Sequence, residues 1–116
     1  MARLPEDVKQ VALWLAKGYD RRLKKYQNER GSRANERRRR RERERLEAVE
    51  QALVAVGADI EAEELREKLR TAIMLNVESG RRYPYEQLIL EGVSRSDFYR
   101  RKDRFLQDIA ERCGLV

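Results

Sequence analysis

Apolar residues recur every three or four positions along most of this chain, which is the spacing of one face of an α-helix. The first such stripe begins after Pro5, a residue favoured in the first helical turn. It consists of Val8, Val11, Ala12, Leu15, Tyr19, Leu23 and Tyr26. The spacing predicts one long amphipathic helix over residues 5–30, with Gly18 as the point of a local bend. The aromatic residues along this helix are predicted to lie in the core or between paired helices, and they are Trp14, Tyr19 and Tyr26.

Two further helical patterns follow, and a glycine separates them. Residues 34–56 begin as almost pure charge and become amphipathic from Leu46 onward, and Gly57 ends the pattern. Asp59 is placed to cap the next helix, which reaches Gly80. The expected core face of that helix consists of Leu65, Leu69, Ala72, Ile73 and Leu75. The apolar faces of the two helices predict an antiparallel helical hairpin.

The last third of the chain has the pattern of a helix-turn-helix. Pro84 can open a short helix, Gly92 closes it, and Ser94 with Asp97 forms a capping box for a final helix over residues 95–113. At about 100° per residue, the final helix has an apolar face formed by Phe98, Phe105, Ile109 and Cys113, with Leu106 at its edge. Its opposite face carries Ser96, Arg100, Asp103, Arg104 and Gln107, with Tyr99 at the flank.

These patterns predict an all-α protein with two regions. Residues 1–58 form a basic helical interaction region, and residues 59–116 form a helical region whose helix-turn-helix begins at about residue 81. In such a motif the second helix enters the major groove of DNA. The familiar bacterial pattern has a third apolar position where this chain has Arg101, so we expect an atypical variant. The alternative is a plain helical hairpin with a solvated basic face.

Charge is distributed unevenly, and the excess of cations lies toward the N-terminal side. Residues 1–45 contain 16 Lys or Arg and 7 acidic residues, whereas residues 46–79 contain 3 and 8. The densest stretch, residues 36–45, has seven arginines and three glutamates, so internal pairs such as Glu36 with Arg40 and Arg40 with Glu44 cannot neutralise it. Such a run predicts phosphate binding, with a solvated, frayed helix as the alternative. The residues predicted to bind phosphate are Arg37, Arg38, Arg39, Arg40, Arg41, Arg81, Arg82, Arg95, Arg101 and Lys102.

The residue types that most catalytic and metal sites require are scarce in this sequence. It has no histidine, which is the commonest general base and metal ligand, and no Gly-rich phosphate loop or nucleophile motif. The glutamates of residues 61–67 fit the outer face of a helix better than a metal site. We therefore expect a binding protein and not an enzyme, with no cofactor. A single cysteine, Cys113, and the lack of an apolar run of about 18 residues favour a cytoplasmic location without membrane contact.

The C-terminal third also resembles a known family. The resemblance lies in Arg-Tyr-Pro-Tyr at residues 82–85, in Ser-Arg-Ser-Asp-Phe-Tyr-Arg-Arg-Lys at residues 94–102, and in Ala-Glu-Arg-Cys-Gly-Leu at residues 110–115. These stretches are similar to phage late-transcription regulators of the ArpU and RinA type, whose ends look like sigma-factor region four. The resemblance implies activation of late phage genes. It also implies a set of DNA-reading residues, namely Ser96, Tyr99, Arg100 and Arg104.

Together these features predict a sequence-specific DNA-binding regulator of transcription. Its expected partners are double-stranded DNA, RNA polymerase and further copies of the same chain. Two other binding roles stay open. The Arg-rich helix could instead dock on an RNA hairpin, as in an antitermination factor. The helix-turn-helix could alternatively serve a DNA-packaging protein similar to a small terminase subunit.

Overall fold

The computed structural model of this protein describes residues 4–29, 36–80 and 86–116. Within those ranges the regular elements are all α-helices, so the prediction of an all-α protein is confirmed. The helices are α1 (Glu6–Lys17), α2 (Tyr19–Asn28), α3 (Glu36–Ala55), α4 (Glu63–Ser79), α5 (Glu86–Leu90) and α6 (Arg95–Arg112). The molecule is elongated, with principal dimensions of 50 × 30 × 25 Å.

Gly18 divides the predicted N-terminal helix into α1 and α2. Its φ of −98° and ψ of 12° depart from helical values, although its N–H still bonds the Trp14 carbonyl at 3.3 Å. The guanidinium of Arg22 lies beside the glycine and donates to the carbonyls of Trp14, at 2.7 Å, and Leu15. A Cβ at position 18 would lie 2.9 Å from that guanidinium. Glycine therefore leaves the space that lets Arg22 satisfy the last carbonyls of α1.

Trp14 does not lie in the core, contrary to the expectation from sequence. Its side chain is 58% exposed, and the Arg22 guanidinium covers one face of the ring at 4.4 Å from the ring centroid. The physical reason is its position about 100° around the helix from Leu15, at the edge of the apolar stripe. The other two aromatic residues, Tyr19 and Tyr26, are half-buried.

The hydrophobic core formed by the described residues is organised around α1, which packs against α3, α4 and α6. Ala12 and Ala16 lie one turn apart and are both fully buried, and their small side chains let neighbouring helices approach closely. The other helices contribute larger apolar residues to this core. These are Val49 from α3, Val56 just after that helix, Leu69, Ile73 and Val77 from α4, and Phe98, Phe105 and Ile109 from α6.

The predicted hairpin of α3 and α4 is more open than expected. Both helices pack against α1, and few of their backbone positions approach each other. An open groove separates them along part of their length. Leu75, expected in the core, is consequently 43% exposed, while Asn76 and Val77 occupy the buried positions of that turn. The predicted helix ends are nevertheless correct, because Gly57 and Gly80 have φ of +76° and +66° and follow the last turns of α3 and α4.

The helix, four-residue turn and helix at the C-terminal side are confirmed as α5, residues 91–94 and α6. Gly92 adopts a φ of +96°, which an L side chain rarely tolerates. Val93 is buried, and its N–H bonds the Leu88 carbonyl at 2.7 Å. The Ser94 hydroxyl accepts from the backbone N–H of Asp97 at 3.1 Å, as expected of an N-cap.

The long final helix α6 lies antiparallel to α3. Its second turn is bonded to the loop after α3 through Arg101 and Asp59, and its last residue, Arg112, is bonded to Gln51, about one turn before the end of α3. The predicted apolar face is buried, except that Cys113 is only half-buried. Asp59 does not cap α4, since α4 begins after Ala62 without a side-chain cap. The carboxylate of Asp59 binds Arg101 instead.

Candidate nucleic-acid interface

The most basic surface of the molecule is formed by α2 and the first half of α3. We call residues 19–29 and 36–45 the basic arm. The two helices pack against each other, and Arg39 joins them. Its guanidinium lies 4.3 Å from the centroid of the Tyr26 ring and donates to the Glu29 carbonyl at 3.3 Å. Arg39 therefore holds the arm together, while its neighbours on α3 face outward.

The basic arm contains eleven Lys or Arg and five acidic residues, so its net charge of +6 equals that of the whole chain. Most of these cations are exposed. On α2 they lie on the outer side of the helix because its apolar residues, namely Tyr19, Leu23 and Tyr26, face inward. The exposed cations are Arg21, Lys24, Lys25, Arg37, Arg38, Arg40, Arg41, Arg43 and Arg45. An exposed surface of this charge is suited to a polyanion.

The two ion pairs expected of Arg40 within the Arg run do not form. Neither Glu36 nor Glu44 lies within 4.0 Å of the Arg40 guanidinium, and the ion pairs found among the described residues lie on other elements. Exposed side chains on the same helix gain little from such pairing, so water or an external anion competes with it readily. In the part of the chain that the structure describes, Arg38, Arg40 and Arg41 thus remain open to phosphate.

Three cations that were not among the predicted phosphate contacts also lie on the basic arm beside the Arg run, namely Arg21, Lys24 and Lys25. The signal is nevertheless present in the sequence. These cations stand at three- and four-residue intervals on the side of α2 opposite Leu23 and Tyr26, which is the pattern of a basic amphipathic helix. Their proximity to α3 depends on helix pairing, which residue spacing alone does not reveal.

The structure brings together the four residues implied to read DNA. Ser96, Tyr99, Arg100 and Arg104 line a cleft of about 1210 Å³ over the outer face of α6. The start of α1 and the end of α3 also border it. Arg100 projects from this face, since its side chain is 79% exposed and its guanidinium is held at one edge by a hydrogen bond to the carboxylate of Asp97.

The cleft is not a basic surface. It is lined by the four cations Lys9, Arg100, Arg101 and Arg104. It is also lined by the six carboxylates of Glu6, Asp59, Asp97, Asp103, Asp108 and Glu111. Because the carboxylates outnumber the cations, the cleft attracts phosphate only weakly. It nevertheless offers both hydrogen-bond donors and hydrogen-bond acceptors. The basic arm and the α6 face therefore differ in what they offer a nucleic acid.

The other residues predicted to bind phosphate differ in how accessible their charged groups are. Arg95 is exposed at the first residue of α6. The guanidinium of Arg101 is bonded to Asp59 and Asp97, so a phosphate contact would require those bonds to break. Lys102 is half-buried with its ammonium 5.9 Å from the Tyr99 ring centroid, and burial lowers its pKa. Arg81 and Arg82 lie outside the described residues.

No helix that the structure describes is both long enough and apolar enough to cross a membrane. Within the same residues, no three carboxylate or thiol side chains converge as a metal site would require. Comparison of this chain with models of known protein families, with curated proteins and with solved structures finds no match to any of them.

Proposed function

We propose that this protein is a DNA-binding regulator of transcription that holds duplex DNA by phosphate contacts from the basic arm. The observation that carries the proposal is the cluster of nine exposed cations on α2 and α3, of which Arg38, Arg40 and Arg41 make no ion pair with a described carboxylate. Such contacts supply affinity that does not depend on sequence, because each neutralised phosphate releases counterions.

Sequence reading is assigned to the outer face of α6, where Arg100 and Arg104 can reach base edges. The distance between the two surfaces supports this division. α3 has 20 residues. The Arg run lies at the N-terminal end of α3, and α6 begins near the C-terminal end of α3. At 1.5 Å per residue the whole of α3 is about 30 Å long, so the Arg run and the start of α6 lie within the roughly 34 Å of one turn of B-DNA. One duplex could therefore contact both.

A regulatory role is supported by the resemblance of residues 81–115 to phage late-transcription regulators. The helix-turn-helix geometry of α5 and α6 is compatible with it, because the capped start of α6 and the buried Val93 brace the second helix. We propose that the regulated genes are late phage genes and that the protein activates them, as the resemblance implies.

A titration of labelled duplex DNA at several salt concentrations tests the proposal. Fluorescence anisotropy should give an association constant that falls linearly with salt on logarithmic axes, with a slope of about −0.9 for each phosphate contact. Five or more contacts would give a slope steeper than about −4. Binding that is absent at low salt, or that does not respond to salt, would refute the proposed role of the basic arm.

An RNA-binding antitermination factor is the second candidate, and the charge balance of the cleft favours it. The carboxylates around Arg100 would weaken the contact of α6 with a DNA duplex. The basic arm would then be the only nucleic-acid contact, as in arginine-rich helices that bind RNA. Competition between an unlabelled RNA hairpin and an unlabelled DNA duplex for the same labelled duplex distinguishes the candidates. Displacement by RNA at much lower concentration than by DNA would favour the RNA-binding role.

A further inference from the structure

An apolar groove of about 460 Å³ lies between α3 and α4 on the surface of the protein. We call it the α3–α4 groove. Its walls are apolar and come from three helices, with Tyr19 from α2, Leu53 and Val54 from α3, and Met74 and Leu75 from α4. Because the two helices do not pack closely along the groove, no element in the described part of the chain covers these side chains. Val54 is 61% exposed, and Leu75 is 43% exposed.

The rim of the α3–α4 groove is acidic, although the chain as a whole carries a net charge of +6. The carboxylates that line it belong to Asp20, Glu50, Glu67 and Glu78. The one cation among the lining residues, Arg70, donates to the carbonyls of Val54 and Val56 and pairs with Glu67. Burial and the nearby carboxylates of Glu50 and Asp20 raise the pKa of the Tyr19 hydroxyl, in keeping with the negative charge at that end of the groove.

We infer that the α3–α4 groove binds a basic amphipathic helix of a partner protein. The apolar walls match a stripe of residues at i, i+3, i+4 and i+7, and the carboxylates of the rim match Lys or Arg on either side of that stripe. The lining residues of α4 extend from Glu67 to Glu78, which is about 17 Å at 1.5 Å per residue. This length accommodates about three turns of the bound helix.

The basic helices of a second copy fit the groove less well. Residues 36–45 carry the charge but contain no apolar residue, and the apolar residues of α2 are half-buried in the basic arm. A nucleic acid is also excluded as an occupant, because the rim carboxylates repel phosphate. The expected occupant of the groove is therefore a protein, whether the basic arm binds DNA or RNA.

A synthetic helical peptide serves as the probe, with leucines at i, i+3, i+4 and i+7 and lysines at most other positions. Fluorescence anisotropy with the full chain should show binding of this peptide, and much weaker binding of a scrambled peptide of identical composition. The double variant Val54→Ser/Leu75→Ser should weaken binding about tenfold or more, since it removes two apolar contacts. Glu50→Gln/Glu78→Gln should weaken it several-fold, with a reduced dependence on salt.

Leu90→Ser is the matched control, because Leu90 is an 86% exposed apolar residue on α5, away from the groove. It should leave peptide binding unchanged, and all variants should keep the melting temperature of the parent protein. Equal binding of the designed and scrambled peptides would overturn the inference, as would equal effects of the groove and control variants. A dimer in sedimentation equilibrium that Val54→Ser/Leu75→Ser dissociates would also overturn it, because a second copy would then cover the groove.

Discussion

The guanidinium of Arg101 donates two parallel hydrogen bonds to the carboxylate of Asp59, each 2.8 Å long. Its Nε donates a third bond, of 3.0 Å, to Asp97 one turn earlier on α6. Asp59 lies in the loop between α3 and α4, so this contact fixes the start of α6 against the end of α3. The arrangement explains how a charged residue replaces the apolar one at this helix-turn-helix position. Arg101 reaches a carboxylate at the surface while its stem packs inward, leaving the side chain 20% exposed.

Replacement of Asp59 by Asn should lower the free energy of unfolding at pH 7 by about 1 kcal/mol. That figure is the upper end for an exposed ion pair, chosen because the contact is bidentate but the Asp59 side chain is 67% exposed. Urea unfolding followed by circular dichroism measures the difference. Glu47→Gln, which removes an exposed carboxylate from the middle of α3, should change stability by no more than about 0.5 kcal/mol. Equal effects of the two variants would contradict the stabilising role of the pair.

The same pair predicts a specific dependence on pH. The hydrogen bond from Arg101 lowers the pKa of Asp59 from 3.8 to about 2. Because the folded-state pKa is depressed, the stabilisation is complete above about pH 4 and disappears as the pH falls through 2. The difference in stability between the parent protein and Asp59→Asn should therefore be present at pH 7 and absent near pH 2. An equal difference at both pH values would show that Asp59 acts through packing and not through its charge.

Arg22→Ala should destabilise the fold by about 1 to 2 kcal/mol, because it leaves carbonyls at the end of α1 without a charged donor. Arg22 donates to the carbonyls of Trp14 and Leu15 and shields the indole ring. Arg21→Ala is the control, since Arg21 is exposed on the same turn of α2. Chemical unfolding can be followed by the fluorescence of Trp14, the one tryptophan of the chain. A native emission spectrum unchanged in Arg22→Ala, together with unaltered stability, would refute the capping role.

The helices and their ends are predictable because they depend on neighbouring residues. Gly57 and Gly80 take positive φ at the ends of their helices, and Ser94 caps α6 through a residue three positions away. The buried face of α6 follows from spacing alone, since Phe98, Phe105 and Ile109 fall on one side of a helix. Each of these features needs only a short stretch of sequence to be specified.

The packing of the helices is not predictable in the same way, because it depends on residues far apart in sequence. Arg101 and Asp59 are separated by 42 positions, and nothing in the local pattern marks them as partners. The apolar faces of α3 and α4 predict a hairpin, but the alanines of α1 offer closer packing than either helix offers the other. The residue type of Trp14 favours the core, although its angular position places it at the edge of the stripe.

The triple substitution of Arg38, Arg40 and Arg41 by Gln should weaken binding to all DNA sequences about equally. These side chains are exposed on the basic arm, and phosphate binding carries no information about bases. The slope of the logarithmic salt dependence should become shallower by about 0.9 for each phosphate that is no longer neutralised, which is up to about 2.7 for the three arginines. Arg39 is retained because it packs on Tyr26.

A matched triple substitution on α2, of Arg21, Lys24 and Lys25 by Gln, should have a similar effect if both helices of the basic arm contact the same duplex. Lys68→Gln, on α4 and paired with Glu91, should leave DNA binding unchanged. If the α3 variant no longer prefers a specific site while it retains affinity for random DNA, the Arg run reads sequence, and the proposed division of roles is reversed.

Arg100→Ala should remove discrimination between specific and scrambled DNA and leave the fold intact. Arg100 is exposed on the outer face of α6, and a base-edge contact by arginine is typically worth about 1 to 3 kcal/mol of discrimination. The specific site is first obtained by selection from a random duplex library, and the two dissociation constants are then compared. The melting temperature should be nearly unchanged, because Arg101 still binds Asp97 when Arg100 is absent. Arg95→Ala provides the contrast, since an exposed cation at the first residue of α6 is expected to contact phosphate and should weaken binding to both sequences alike. If Arg100→Ala keeps the full preference with unchanged melting, Arg100 does not read bases, and the α5 and α6 helices would be a structural hairpin beside a basic arm that binds nucleic acid alone.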